Sequence, residues 1–508
     1  MKGLTKISIL LVSLLVTTVI WGQQTAGDNK EIKELIMDSN EITTILYNYG
    51  SICKPNTLGN IADMVWKDLG YMFEFGPLIA AEVIGENGDT LHITSDSFVL
   101  TGQGDYSPDG LQKWGWLPRE GYSNSNSSEI ANSLNSESWP NEWSYWPGEY
   151  GDDVVIAENE IFYVMDDFSN AEFDYYPFPD DITKRGLGVS SEVRIYQFGG
   201  FLKDALIIKY KVTNESPKDL SKVYFGFQGD PHIGGPADYA DDRAGFLASD
   251  YEVKEAANTI YSYDNDGIGA AGRNTGYLGF KLIKTPYDLG LASLHVAPYT
   301  NSDPNVPRND PLMWDWLSAD SIDMGENLFS SGDHILNFGT GPFELNAGES
   351  TEITLAIFLS DDFDDMLHDA FSIQHYINWP SLVNEYDYSD GNTNYKVELN
   401  ELPNENEGDV TVSWNYTGTD PNAKIFIDYS ADGGMISTPI IEDNNINENY
   451  TWNTKLVDDG VNYMLRVLAY NPDNPRDYYY DNCNERFTIN NPEKIQFQNL
   501  SLFLLQIQ

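Results

Sequence analysis

The sequence predicts a mainly β protein: an antiparallel β-sandwich main domain with one or two short helices, followed by a smaller β-sandwich near the C-terminal end. Three observations favour this fold class. Apolar and polar residues alternate over short segments, and Gly, Asn, Asp and Pro separate these segments. The chain also lacks the strand–helix–strand rhythm that is typical of parallel sheets.

Strand patterns recur from about residue 78 onward. In DALIIKYKVTN, residues 204–214, every second residue from Leu206 to Val212 is apolar, and STEITLAIFLS, residues 350–360, repeats the pattern. Asn87-Gly88 stands between two apolar runs, which is a strong signal for a β-hairpin. These segments predict antiparallel strands.

One segment predicts a helix. Its apolar residues fall at helical spacing: Phe363, Met366, Leu367, Ala370 and Phe371. The four aspartates at 361, 362, 364 and 365 occupy the first turn, where the helix dipole favours carboxylates, so we interpret them as helix-capping residues and not as a metal site. His368 and His375 lie about 10.5 Å apart along such a helix and cannot share one ion.

The first 22 residues have the pattern of a secretory signal peptide. Lys2 and Lys6 precede an apolar run from 7 to 21, and cleavage is expected after Gly22. No later run approaches the roughly 20 apolar residues of a spanning helix, so we expect no transmembrane segment. The expected location is secreted or at the cell surface.

The chain of 508 residues carries 79 acidic against 29 basic residues, a formal charge of −50, yet 41% of its residues are hydrophobic and 13% aromatic. This composition indicates a folded protein with an acidic surface. Such a surface repels nucleic acid and favours cations, so we expect no nucleic-acid partner.

The composition along the chain predicts a main domain over 23–380, partly irregular or helical over 23–77. A linker over 381–395, a C-terminal module over 396–490 and a tail over 491–508 follow. The module contains five short strand patterns, with Trp414 placed in its core and an alternating run from Tyr463 to Ala469. In these residues it resembles the fibronectin type III and immunoglobulin-like modules of secreted bacterial proteins. The resemblance implies a β-sandwich that serves as a spacer or an adhesive unit.

The larger part resembles a group of uncharacterised secreted β-sandwich proteins of bacteria that use type IX secretion. The resemblance rests on SWPNEWSYWPGEYG at 138–151, RGLGVSSEVRIYQF at 185–198, KYKVTNES at 209–216 and FELNAGES at 343–350. It implies a C-terminal sorting domain, and only 18 residues follow Asn490 here, so we expect that domain to be missing and the tail to be truncated. The resemblance implies no catalytic residues.

GIGAAG at 267–272 matches the dinucleotide-binding fingerprint G-x-G-x-x-G letter for letter. That fingerprint requires a helix after the glycines, whereas the segment that follows reads as a strand. We therefore expect no nucleotide cofactor.

Calcium is the metal that the acidic loops predict. Asp264-Asn265-Asp266-Gly267 resembles half of a calcium loop, with oxygen ligands at alternate positions and a glycine at the turn. The preceding loop, GDPHIGGPADYADDRAGF at 229–246, supplies further carboxylates. We predict that the two loops share one structural calcium ion, with ligands drawn from Asp230, Asp238, Asp241, Asp242, Asp264 and Asp266.

A tryptophan-rich region allows two interpretations. Its rings could form a ligand-binding platform for a glycan, flanked by Glu120, Glu142 and Glu149 as hydrogen-bond acceptors, or they could be buried to hold a long loop against the sheets. The tryptophans are Trp114, Trp116, Trp139, Trp143 and Trp146.

Two cysteines, Cys53 and Cys483, could form one disulfide or remain two buried thiols. His232 and His334 are expected to be exposed turn residues and not catalytic bases. The sequence contains no G-x-S-x-G, no H-E-x-x-H and no zinc-type Cys/His spacing.

The sequence therefore favours an exported, non-catalytic binding or structural protein whose partner is a glycan or a surface protein. The alternative is a secreted glycan-active hydrolase or lyase with an accessory immunoglobulin-like module. A deep, Trp-lined cleft with a convergent pair of carboxylates would favour the enzyme.

Overall fold

The computed structural model describes residues 27–55, 63–98, 106–109, 111–149, 151–153, 155–199, 202–249, 251, 256–299, 310–323, 331–377, 395–420, 422–431, 438–443, 449–471, 474–483 and 486–491. The predicted signal peptide, nearly all of the predicted linker and nearly all of the tail lie outside these residues.

The part of the chain before the linker consists mainly of strands, as the sequence predicts. Two helices are present in its described residues, α1 (Asp310–Leu317) and α2 (Phe363–Ile377). The strands are β1 (Glu34–Met37), β2 (Ile42–Tyr47), β3 (Met64–Trp66), β4 (Leu69–Ile84), β5 (Thr90–Asp96), β6 (Leu117–Pro118), β7 (Pro147–Gly148), β8 (Gly151–Asp152), β9 (Asn159–Asp166), β10 (Val189–Gln197), β11 (Ala205–Asn214), β12 (Leu220–Pro231), β13 (Asp242–Leu247), β14 (Thr259–Asp264), β15 (Ile268–Gly269), β16 (Arg273–Asn274), β17 (Tyr277–Lys284), β18 (Ser293–Pro298), β19 (Ile322–Asp323), β20 (His334–Leu345) and β21 (Ser350–Ser360).

Two large sheets form a sandwich. One has the order β1-β2-β3-β4-β12-β20-β18-β19, with β5 also paired to β4, and the other has the order β13-β14-β17-β21-β11-β10-β9-β6. All pairs are antiparallel except β18 with β19. Apolar side chains from both sheets share one core: Phe75 of β4 stacks on Phe280 of β17 at 5.2 Å between ring centroids.

Several predicted elements are confirmed. The Asn87-Gly88 turn joins β4 to β5, and Gly88 takes a left-handed φ of 83° that a side chain would disfavour. The predicted helix is α2, and its predicted apolar face packs inward. The segment after GIGAAG is strand β17, where a dinucleotide site would require a helix.

The region predicted to be partly irregular or helical, residues 23–77, also contains four strands in its described part. Strands β1 to β4 occupy much of it, and only a single 3-10 turn lies at Asn29–Glu31. Strand β2 is buried along almost its whole length, so its sequence, ITTILY, lacks the alternation by which a half-exposed strand is recognised.

Residues from 395 onward form a second set of strands, which pair only with one another in the described chain. They are β22 (Tyr395–Leu399), β23 (Glu405–Asn406), β24 (Asp409–Gly418), β25 (Lys424–Ser430), β26 (Thr438–Asp443), β27 (Asn449–Asn453), β28 (Gly460–Asn471), β29 (Asn474–Asn482) and β30 (Phe487–Ile489). One sheet has the order β22-β24-β27, and the other has the order β23-β30-β28-β25-β26 with β29 also on β28.

These two smaller sheets share a core that includes Trp414 and Trp452. The opposite face of β25 and β28 contacts the main sandwich, because Phe426 and Leu468 belong to the same apolar cluster as Met366 of α2. The smaller sandwich therefore packs against the apolar cluster to which α2 contributes.

Candidate metal centre

The two predicted calcium loops meet at one end of the main sandwich. The chain leaves the first sheet at the end of β12 and enters the second sheet at the start of β13, so the loop between them crosses this end. Strand β13 pairs with β14 in antiparallel register, and Asp242 lies opposite Asp264. Strand pairing therefore brings the acidic residues of both loops together.

Three carboxylates form the first group, which we call the outer cluster: Asp241, Asp264 and Asp266. One ligand atom from each lies within 4.8 Å of the others. Asp264 is buried, and its Oδ1 accepts hydrogen bonds from the backbone N–H groups of Asp266 at 2.9 Å and Gly267 at 3.3 Å. These bonds hold the turn in the shape that the sequence predicts.

Asp238 and Asp242 lie beside the outer cluster. Asp242 is fully buried, and its Oδ2 accepts a hydrogen bond from the N–H of Ile233 at 2.8 Å, while its Oδ1 has no hydrogen-bond partner among the described residues. Burial and the nearby aspartates raise the pKa of Asp242 to about 9. Burial and the charge of Asp264 also raise the pKa values of Asp238 and Asp241. The group can therefore hold a cation that compensates its negative charge.

A second group, which we call the inner cluster, consists of Asp230, His232 and Asp333, again with ligand atoms within 4.8 Å of one another. His232 Nε2 lies 3.8 Å from Asp230 Oδ1, and His232 Nδ1 lies 3.9 Å from Oδ1 of the buried Asp63. The imidazole stacks on the ring of Tyr239 at 4.2 Å between centroids and packs against Phe73 at 4.8 Å. Aromatic packing therefore fixes the orientation of His232.

Burial dominates the electrostatics of the inner cluster. It raises the pKa of Asp230 well above its usual value, with further contributions from neighbouring carboxylates, and it raises the pKa of Asp63 to about 7 and that of Asp333 to about 6. Burial, together with Lys54 and His334, lowers the pKa of His232 to about 4.

The structure corrects two sequence predictions here. His232 and His334, expected to be exposed, are 7% and 5% exposed, because the first packs between aromatic rings and the second hydrogen-bonds Ser262 inside the sandwich. Asp230, predicted to act with the loop aspartates, belongs to the inner cluster instead. Asp63 and Asp333 were not predicted, since they lie far from Asp230 in sequence and only the pairing of β4, β12 and β20 brings them near.

The five tryptophans of the aromatic region do not form one exposed platform. Trp116 and Trp146 are 0% and 1% exposed, so neither presents a ring face to a ligand, whereas Trp114, Trp139 and Trp143 are partly exposed. Trp146 Nε1 donates to Glu160 Oε2 at 2.7 Å, and the ring packs against Trp139 and Trp143. Burial of Trp146 holds the loop on β9, as the second interpretation proposes.

Of the two alternatives for the cysteines, the structure has the two buried thiols, since Cys53 and Cys483 are both free and buried. Cys53 packs in the core of the main sandwich, with its Sγ 3.3 Å from Thr44 Oγ1. Cys483 packs in the core of the smaller sandwich, with its Sγ accepting from the N–H of Leu465 at 3.2 Å. The two thiols belong to different cores and therefore cannot bond.

A cleft of about 220 Å³ lies on the outer face of the second sheet. Each of its carboxylates forms an ion pair with a lysine: Glu149 with Lys209 at 2.9 Å, Glu192 with Lys211 at 3.0 Å, and Glu352 with Lys284. Burial alone would raise the pKa of Glu149, but Lys209 and the hydroxyl of Tyr196 outweigh it and the pKa is lowered. A glycosidase acid requires the opposite shift, and the residues lining this cleft include no tryptophan.

No family model matches the sequence, and no curated protein matches it either. Among solved structures, the chain is similar to a polysaccharide lyase at 11% identity, with a TM-score of 0.27. The alignment covers 90% of this chain and 46% of the lyase, so the chain spans less than half of the length of that structure. No helix within the described residues has the length and apolar character that crossing a membrane requires.

Proposed function

We propose that this chain is an exported, non-catalytic binding or structural protein whose main β-sandwich is stabilised by calcium at the outer cluster. The observation that carries the proposal is the convergence of Asp241, Asp264 and Asp266 from two loops, with the buried, unsatisfied Oδ1 of Asp242 beside them. Calcium takes 6 to 8 oxygen ligands, commonly carboxylates from adjacent loops.

Two further properties of the sequence support calcium binding and export. The formal charge of −50 makes the surface attractive to cations. The N-terminal pattern of Lys2, Lys6 and the apolar run after them is typical of a secretory leader, and extracellular modules bind calcium with dissociation constants of about 0.1 to 1 mM.

We assign residues 396–490 to a fibronectin type III-like module. Its strands form two sheets that share one core, and a two-sheet sandwich of this kind supports the assignment. The hydroxyl of Tyr463 near the start of β28 also donates to the backbone carbonyl of Asp458 at 2.6 Å, which is the geometry of a tyrosine corner. In this proposal the module is an adhesive or spacing unit docked on the main sandwich.

The cleft favours binding over glycan hydrolysis. Each of its three glutamates pairs with a lysine. The pKa of Glu149 is lowered by Lys209 and Tyr196, whereas a general acid requires a raised pKa. The partly exposed Trp114, Trp139 and Trp143 are the residues of the aromatic region that could still contact a glycan.

Calorimetric melting of the purified protein in EDTA and then in millimolar calcium tests this function. At about 10 mM calcium, which is about 10 to 100 times such a dissociation constant, binding stabilises the folded state by about 1.4 to 2.7 kcal/mol, and this corresponds to a rise in Tm of about 2 to 4 °C for a domain of about 350 residues. The double variant Asp241→Asn/Asp266→Asn is expected to lose the rise.

The matched control is Asp361→Asn/Asp364→Asn, which removes two exposed carboxylates at the start of α2. This variant is expected to keep the full calcium response. A Tm that is equal in EDTA and calcium, or a rise that survives in Asp241→Asn/Asp266→Asn, would refute the calcium site.

A further inference from the structure

We propose that the inner cluster, Asp230, His232 and Asp333, is a second metal site that binds a divalent transition-metal ion of the zinc type. It is distinct from the calcium site in its ligand chemistry. The proposal does not depend on whether the outer cluster binds calcium.

The donor set distinguishes the two clusters. The outer cluster offers only carboxylate oxygens, which suit calcium, whereas the inner cluster adds an imidazole nitrogen. Imidazole is a ligand for zinc, copper, iron and nickel, and two carboxylates with one imidazole complete three positions of a zinc-type site. Such a three-ligand site leaves a fourth position open to water or to a ligand.

Unsatisfied buried atoms point to an ion in this place. Asp230 is 2% exposed, and its Oδ1, which faces His232 Nε2, has no hydrogen-bond partner among the described residues. The same holds for Oδ1 of Asp333. A buried carboxylate oxygen without a partner costs free energy, and a bound dication removes that cost.

Asp63 supplies the outer-sphere partner that a metal-binding histidine requires. Its Oδ1 lies 3.9 Å from His232 Nδ1, on the side of the ring opposite Nε2, and neither of its oxygens has a hydrogen-bond partner in the described chain. When Nε2 binds the ion, Nδ1–H points towards this carboxylate, an arrangement that orients metal-bound imidazoles in proteins. Asp63 is therefore a positioning residue.

The positive charge of Lys54 acts on this cluster and opposes the charges of Asp63 and Asp230. Its Nζ lies 3.6 Å from the centroid of the Phe73 ring, so the lysine packs on the same aromatic ring that contacts His232. One ammonium group does not balance the carboxylates of Asp63, Asp230 and Asp333 together.

The test is calorimetric titration of untagged, metal-stripped protein with Zn²⁺ in buffer that contains millimolar calcium. We expect one Zn²⁺ per chain, and substitution by Co²⁺ should produce visible absorption bands typical of nitrogen and oxygen ligation. Asp63→Asn is expected to weaken Zn²⁺ binding by about 10- to 100-fold. His232→Ala should weaken it further and abolish the Co²⁺ bands.

His92→Ala is the control, because His92 lies on β5 and pairs with Glu82 outside the cluster, and this variant should bind Zn²⁺ normally. A cooperative thermal unfolding transition, with a Tm close to that of the wild-type protein, reports whether each variant folds. Since the asparagine variant Asp333→Asn preserves shape, it should lose Zn²⁺ while remaining folded. Absence of stoichiometric Zn²⁺ binding, or equal Zn²⁺ affinity in the wild-type protein and in folded His232→Ala or Asp333→Asn, would overturn the site.

Discussion

The buried ion pair of the smaller sandwich gives a prediction whose size follows from the structure. Asp428 on β25 and Arg466 on β28 lie opposite each other in the strand register, and both side chains are 0% exposed. Arg466 Nε donates to Asp428 Oδ1 at 2.9 Å, and Nη2 donates to Oδ2, so the guanidinium binds the carboxylate through two parallel bonds.

Asp428→Ala would leave the guanidinium of Arg466 buried without this carboxylate. Breaking a buried pair by removing one partner costs about 3 to 5 kcal/mol, because the remaining charge keeps its desolvation penalty. We expect the free energy of unfolding to fall by this amount. Urea denaturation, followed by the fluorescence of the tryptophans in this sandwich, measures the loss.

Glu398→Ala is the matched control in the same sandwich. Glu398 pairs with Lys396, but both side chains are more than half exposed, and such pairs contribute about 0.2 to 1 kcal/mol. If Asp428→Ala destabilises the protein no more than Glu398→Ala does, the reasoning about the buried pair is wrong.

The burial of this pair has a structural cause. Asp428 and Arg466 share a sheet face with Phe426 and Leu468, which pack into the apolar cluster of α2. The face that would otherwise be exposed to solvent is thus covered by the main sandwich. Asp428→Ala is therefore expected to weaken the docking of the two sandwiches as well as the smaller one itself.

Three other predictions concern pH, the thiols and the tryptophan loop. In EDTA, Asp63, with a pKa of about 7, and Asp242, with a pKa of about 9, keep protons that the unfolded chain loses near pH 4. Their stabilising contribution is complete below about pH 4 and is lost as pH rises towards 9, so the urea midpoint should fall between pH 5 and pH 8. Cys53 and Cys483 should react with a thiol reagent only after denaturation, as two free thiols per chain. Trp146→Ala should cost about 3 to 5 kcal/mol of unfolding free energy in urea denaturation, since the ring is buried and hydrogen-bonded.

Each of these outcomes has its own control. Asp242→Asn mimics the protonated carboxyl and should flatten the pH profile, whereas a midpoint that rises with pH would contradict the assignment. A single disulfide in the mass spectrum of the native protein would contradict the two separate thiols. Trp143→Ala should cost less than Trp146→Ala because the ring of Trp143 is partly exposed, and equal losses would show that burial does not set the cost.

Much of the fold follows from local sequence patterns. The alternation in β11 and β21, the Asn87-Gly88 turn and the apolar spacing of α2 each encode their own structure within a dozen residues. Strand β2 has no such pattern, because tertiary packing buries both of its faces and removes the period of two from its sequence. Local pattern predicts an element well only where one face meets solvent.

The difference between local sequence pattern and tertiary packing also explains which of the two clusters could be predicted. The outer cluster could be predicted because its two loops flank the β13–β14 pair, so that sequence neighbours are also spatial neighbours. The inner cluster could not, since Asp63, His232 and Asp333 come from three segments that only the sheet order brings together. The one local signal was a histidine directly after the strand that ends in Asp230 and Pro231, and its apparent turn context suggested exposure.

The position of both clusters at one end of the sandwich has a physical basis. The connection between β12 and β13 crosses from the first sheet to the second. The polar backbone groups of this turn therefore lie close to the apolar interior and need hydrogen-bond partners. Asp242 satisfies one of these groups, because it accepts a hydrogen bond from the N–H of Ile233, the residue next to His232. An ion that binds Asp242 from the outer cluster therefore also holds the backbone beside His232 in place. We expect calcium in the titration buffer to favour Zn²⁺ binding at the inner cluster and not to compete with it.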